Sequence, residues 1–242
     1  MRSMYIWFGI TVVVAGILGI LLFTPAGAYA KTGWLILLTS PYEQAGSGAG
    51  TILVLGDSTG YGTGTRASTE SVAGRLGHAY PAYRIENNSV NGRRIAGAQA
   101  AVEELSGQYD LIVLQMGAND IIGGRSADAV ASDMQQLVTA VKSHATRVVI
   151  MTAGNVGGPP RFTGEQAAQY RTVSEAYDVR MRAYASGEAD VWFVSLYDDP
   201  ADDPFVAEPE VYMAWDGLHP TKAGYAVWFQ KAEPAFQAAL GE

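Results

Sequence analysis

The sequence predicts an α/β domain in which a parallel sheet carries helices on both faces, and three observations predict it. Short, uninterrupted apolar runs recur along the chain, stretches with apolar residues at helical spacing separate them, and the first run ends in a glycine-rich turn, Gly56 to Gly64 (GDSTGYGTG). A short, continuously apolar run is the mark of a strand buried on both faces, which is the environment of a parallel sheet covered by crossover helices. Such sheets bind ligands beyond the carboxyl ends of their strands.

In chain order, the first feature lies outside that pattern. Tyr5 to Thr24 (YIWFGITVVVAGILGILLFT) carries no charge over 20 positions. As a helix rising about 1.5 Å per residue it reaches about 30 Å, enough to cross a bilayer. Residues 1–30 are therefore expected to form one N-terminal transmembrane helix or a signal segment. Ala28-Tyr29-Ala30 before Lys31 has the small residues of a signal-peptidase site, although the apolar region is longer than signal peptides carry. The expected form is the retained span, a membrane anchor through residues 5–24, and Arg2 before it places the amino terminus inside and the domain outside the cytoplasm. Cleavage after Ala30 gives a secreted or periplasmic protein instead. Residues 31–50 read as a linker: Trp34 to Thr39 (WLILLT) is too short to span and is expected to rest at the membrane interface or on the domain, and Ser40 to Gly50 has the Gly/Ser composition of a flexible tether.

The folded domain is expected over residues 51–242. Its five strands are Ile52 to Leu55, Tyr83 to Asn87, Leu111 to Gln115, Arg147 to Thr152 and Val191 to Leu196. Between them, Ile95, Val102 and Leu105 fall at helical spacing, as do Val130, Met134, Leu137 and Val141, and then Tyr170, Val173, Tyr177, Met181 and Tyr184. Thr163 with Gln166 has the pattern of a capping box, and Thr221 is placed to cap the last helix.

Composition narrows the function. The formal charge of -8 and the absence of any basic stripe argue against a nucleic-acid partner, which needs clustered Lys and Arg to displace counterions. Having no cysteine, the chain can form no disulfide and no thiolate metal site, and cannot use cysteine catalysis.

What remains points to serine chemistry. Ser58 sits at the carboxyl end of the first strand, in a turn whose glycines let backbone N–H groups approach a bound group closely. A serine hydroxyl needs an adjacent base, and the base needs a third group to orient it. Of the three histidines, His78 near a helix end and His144 in a turn read as surface or capping residues. His219 lies in Asp216-Gly217-Leu218-His219-Pro220, with an acidic residue three positions upstream that a short turn can bring to its Nδ1. Donors for a developing oxyanion are offered by Asn119, in Gly117-Ala118-Asn119-Asp120 after the third strand, and by the N–H of Gly92 after the second. Asp120 reads as a structural hydrogen-bonding residue of its turn.

These four blocks, in this order, resemble the SGNH/GDSL hydrolase superfamily, over Thr51 to about Phe236. The resemblance implies a flavodoxin-like three-layer α/β/α fold with a five-stranded parallel sheet, and hydrolysis of carboxylic esters through an acyl-enzyme. It assigns Ser58 as nucleophile and oxyanion donor, Gly92 and Asn119 as the other donors, His219 as base and Asp216 as its orienter. Thr59 departs from the leucine that many members have. The reading implies neither metal nor organic cofactor, and a small acyl-ester substrate: a short acyl ester, an acetylated sugar or a lysophospholipid. Two alternatives stay open, an acyltransferase using the same triad and a non-catalytic domain that binds acylated envelope glycans. Loops Asn155 to Phe162 and Asp198 to Met213 are long enough to shape a pocket, with Trp215 and Tyr212 as possible lining.

Overall fold

The computed structural model describes residues 7, 10–14, 16, 19, 24–152 and 154–241. Strands β1 (Gly50–Gly56), β2 (Tyr83–Asn87), β3 (Leu111–Gln115), β4 (Val148–Met151) and β5 (Val191–Val194) form one sheet in the order β2-β1-β3-β4-β5. Every pairing in it is parallel. This strand order reverses direction between β1 and β3, and the crevice at such a switch point is where open α/β sheets bind ligands. The loop after β1 carries Ser58 and the loop after β3 carries Asn119, so the two flank that crevice.

Two cores cover the sheet, one on each face. Leu53, Leu55, Ile112, Leu114, Val148 and Ile150 pack toward α4 (Ile95–Glu103), α6 (Ala127–Val141) and α7 (Gly164–Ser186). Their neighbours in sequence, Ile52, Val54, Leu111, Val113, Val149 and Met151, pack toward α3 (Val72–Ala79) and α10 (Lys222–Leu240), which contributes Tyr225, Trp228 and Phe236. This is the alternation a strand imposes when both faces are dry. Ile52, Leu53, Leu55, Leu111, Ile112 and Leu114 are each at most 1% exposed. A side chain so buried contributes about 1.5–3 kcal/mol relative to an exposed one, so these strands anchor the turns at their ends.

Thr221 caps α10, its hydroxyl accepting from Gly224 N at 3.3 Å. The capping box expected at α7 does not form: the Thr163 side chain makes no cap hydrogen bond, and Gln166 donates to Tyr170 Oη instead. Thr163 keeps the extended backbone of an N-cap, but with its hydroxyl unused as a cap and Gln166 engaged by Tyr170, the reciprocal bonds of a capping box are absent. The two last strands are also shorter than the apolar runs suggest. Leu196 N is taken by the Thr152 hydroxyl at 2.9 Å, so a side chain replaces the ladder there.

The amino-terminal side differs most from expectation. Pro25–Leu38 forms helix α1, capped by Thr24, and it continues through the Ala30–Lys31 junction. Residues 31–38, expected to be linker, are thus helical. The reason is packing that composition does not reveal: Leu35 is buried, and it borders a groove with Met213, Ala214 and Trp215. Farther along, Gln44 pairs with Ile85 at the edge of β2. Among the described residues no helix is long and apolar enough to cross a membrane, and most of the uncharged run 5–24 lies outside the described residues.

Candidate active site

β1 delivers Gly56 and Asp57 into a one-turn helix, α2 (Ser58–Tyr61). A Cβ on Gly56 would lie 2.7 Å from Gln115 O and 2.8 Å from Ser89 Oγ, so only glycine fits where the chain passes between the end of β3 and the loop after β2. Asp57 is the N-cap of α2: its Oδ1 accepts from Thr59 N and Thr59 Oγ1, both at 2.8 Å. Burial pushes the Asp57 carboxyl above its usual value, and these bonds partly offset that. Ser58 is the first residue of α2, where a backbone N–H has no partner within the helix and is free to face a ligand.

The partner side chains come from a turn 158 residues beyond Ser58 in sequence, held by Ala214 N on His219 O at 2.7 Å and Gly217 N on Ala214 O at 2.8 Å. Ser58 Oγ lies 2.9 Å from His219 Nε2, and His219 Nδ1 lies 2.7 Å from Asp216 Oδ2. With the imidazole proton on Nδ1, the serine hydroxyl donates to Nε2 and the histidine donates to the carboxylate. Asp216 Oδ1 accepts from Leu218 N at 3.0 Å and His219 N at 3.1 Å. Burial alone would raise the Asp216 carboxyl, but the hydrogen bonds and charge of His219 with the N–H of Leu218 outweigh it and hold the group at about 2. An ionised carboxylate is therefore fixed against Nδ1, which is what a histidine acting as general base requires.

Ser58, Asn119 and His219 line one cavity of about 60 Å³. Its walls are mostly apolar: Ile122, Val156, Leu196, Phe205, Met213 and Trp228. The two loops expected to shape a pocket do contribute, through Asn155, Val156 and Pro159 from one and Asp203, Phe205 and Met213 from the other. Trp215 and Tyr212 do not line it; Trp215 is exposed, and Tyr212 stacks at an angle on Phe205.

A profile of the GDSL-like Lipase/Acylhydrolase family matches residues 54–227. The chain belongs to that family. Three solved structures illustrate the shared fold. A lipolytic protein of the G-D-S-L family from Veillonella parvula is 18% identical, with a TM-score of 0.62 over 77% of this chain and 98% of its own. TesA is 21% identical, with a TM-score of 0.59 over 78% of this chain and 99% of its own. An acetylxylan esterase from Geobacillus stearothermophilus is 22% identical, with a TM-score of 0.56 over 82% of this chain and 96% of its own. A search of curated protein sequences found no match.

Within this GDSL-family fold the remaining candidates fall in distinct places. Asn119 is on α5 (Ala118–Ile122), directly after β3; its Nδ2 donates to Arg93 O at 3.2 Å and lies 3.4 Å from Asp57 Oδ2. Gly92, at φ +78°, occupies the exposed loop that supplies Arg93, but it is not one of the residues lining the cavity. Asp120 is buried and structural, its Oδ2 accepting from Ile95 N at the start of α4. His78 is exposed, and His144 Nδ1 lies 3.2 Å from Gly107 O, so neither joins the site.

Two contacts escape a reading of the sequence. The Thr59 hydroxyl, in the position that departs from leucine, helps hold Asp57. Thr32 Oγ1 donates to Asp216 Oδ2 at 2.8 Å from helix α1, 184 residues away and outside the region matching the family profile. No motif surrounds Thr32, and nothing in its spacing could have pointed to Asp216.

Proposed function

We propose that this GDSL-family chain is a serine hydrolase that cleaves carboxylic esters of small acyl groups. The observation that carries the reading is the continuous hydrogen-bonded line from Ser58 Oγ through His219 to Asp216, opening on a small apolar cavity. Ser58 Oγ attacks the ester carbonyl while its proton passes to His219 Nε2. The negative charge that develops on the carbonyl oxygen is met by the N–H of Ser58 and the Asn119 amide, which exchanges its long contact with Asp57 for the oxyanion. Collapse expels the alcohol, protonated by His219, and leaves Ser58 acylated. Water then attacks the acyl-enzyme with His219 again taking its proton, and the acid leaves. Throughout, Asp216 stays ionised and holds the imidazole.

Cavity size favours a short acyl group such as acetyl. The acetylxylan esterase fold relative and a carbohydrate acetylesterase family member from Sinorhizobium meliloti, 20% identical with a TM-score of 0.59, make acetylated sugars the first substrates to try. The test is a fluorophosphonate probe together with a series of aryl esters of increasing acyl length. The wild-type chain is expected to label on Ser58 and to hydrolyse acetate faster than octanoate, while Ser58→Ala does neither and stays folded. Labelling that survives Ser58→Ala would sink the mechanism, and a preference for octanoate would sink the substrate class.

A further inference from the structure

We infer that helix α1, upstream of the family-matched domain, is part of the active site: Thr32 is a positioning residue for the triad acid, and Arg161 locks it in place. The inference rests on the serine-hydrolase reading above and extends it to helix α1 and Thr32, which the family profile does not reach. Asp216 is completely buried at its side chain. A buried carboxylate has about four acceptor positions to satisfy, and here four donors meet them. Leu218 N and His219 N converge on Oδ1, and His219 Nδ1 and Thr32 Oγ1 converge on Oδ2. Three of these donors come from the catalytic turn itself. Among the described residues, only Thr32 ties the carboxylate to another element, and so it resists rotation of Asp216 away from the imidazole.

Which way the Thr32 hydroxyl points is decided by Arg161. The hydroxyl has one proton and two acceptors in reach, Asp216 Oδ2 at 2.8 Å and Ala28 O, one turn back in its own helix, at 3.2 Å. Arg161 Nη1 donates to Ala28 O and to Thr32 Oγ1, both at 3.1 Å. It thereby occupies the competing carbonyl and loads the hydroxyl oxygen as acceptor, which leaves the proton for the carboxylate. The order Arg161 to Thr32 to Asp216 is a chain of donors in which each bond polarises the next. Arg161 is itself fixed at both ends: its guanidinium lies 4.8 Å from the Tyr29 ring centroid, and its backbone N donates to Gly217 O at 3.0 Å, next to Asp216. Loop, catalytic turn and α1 thus close on one another around the acid.

The test uses the full-length chain, with kcat and KM measured on an aryl acetate and the rate of covalent labelling measured with a fluorophosphonate. Thr32→Val keeps the shape and removes the donor; it is expected to lower kcat and the labelling rate about tenfold, the effect of one hydrogen bond to a charged group, with KM within about twofold. Thr32→Ser restores the hydroxyl and should recover most of the loss. Arg161→Gln should fall between wild type and Thr32→Val. Thr32→Val reacting at the wild-type rate would overturn the inference. So would Thr32→Ser being as slow as Thr32→Val, since that would assign the role to packing of the methyl group. Should the wild-type chain itself fail to label, the serine-hydrolase reading falls, and this inference falls with it.

Discussion

Replacing Asp216 by asparagine tests the site more sharply than deleting it, because the structure dictates how the amide must sit. Four donors converge on two carboxylate oxygens, so an asparagine must turn its NH2 toward one pair of them. The N–H groups of Leu218 and His219 are backbone and cannot turn away. On the other side the Thr32 hydroxyl can rotate and the imidazole can change tautomer. The asparagine oxygen therefore stays on the backbone pair, and its NH2 faces His219 Nδ1, which must then be the unprotonated nitrogen. The imidazole proton moves to Nε2, against Ser58 Oγ, and the base is lost. A wrong tautomer of this kind costs about ten-thousandfold in turnover, or about 5 kcal/mol of transition-state stabilisation. The assay is kcat/KM on an aryl acetate and the fluorophosphonate labelling rate, with circular dichroism to check the fold. Turnover within tenfold of wild type would refute the reasoning. The same variant carries a stability signature. Asp216 is held at about 2 against an ordinary 3.8, a gap worth about 2 kcal/mol. Because the folded value is the lower one, that stability is present above about pH 4 and is lost as pH falls toward 2. Asp216→Asn should lack this part of the acid loss, and an unchanged acid midpoint would show that the carboxylate is not held as described.

Two further outcomes are expected at the site. Asn119→Ala removes one oxyanion donor and should lower kcat about a hundredfold to a thousandfold with KM little changed; a loss exceeding that of Asp216→Asn would reverse the assigned roles. Gly64→Ala places a Cβ 2.2 Å from Pro220 O and 3.1 Å from His219 Cβ, at a φ of +106° that side chains rarely adopt. It should shift the catalytic turn, lower kcat/KM more than tenfold and lower the thermal midpoint, and activity within twofold of wild type would mean that the turn yields without moving His219.

The strands of the sheet and the side chains that meet at its edge were legible in the chain before folding. Strands buried on both faces need apolar residues along their length, so Ile52 to Leu55 and Leu111 to Leu114 are legible as runs, and parallel pairing brings the residues just after each run to one edge of the sheet. Ser58 and Asn119 could be read because they lie immediately after such runs, and Asp216 and His219 because a three-residue separation makes their contact local. The remaining features are long in range and are set by how packed elements meet. Cavity lining falls into this class: Phe205 and Met213 face it while Trp215 does not, a matter of how short helices α8 (Pro204–Ala207) and α9 (Pro209–Tyr212) bend the loop. The Thr32 and Arg161 contacts to the catalytic turn fall there too. Residues 31–38 read as linker because a short apolar stretch does not by itself reveal a helix held by one buried leucine and one hydroxyl contact. A hydrogen bond between residues 184 positions apart leaves no periodicity in the chain, since its formation depends on where the packed elements come to rest and not on any pattern local to either partner.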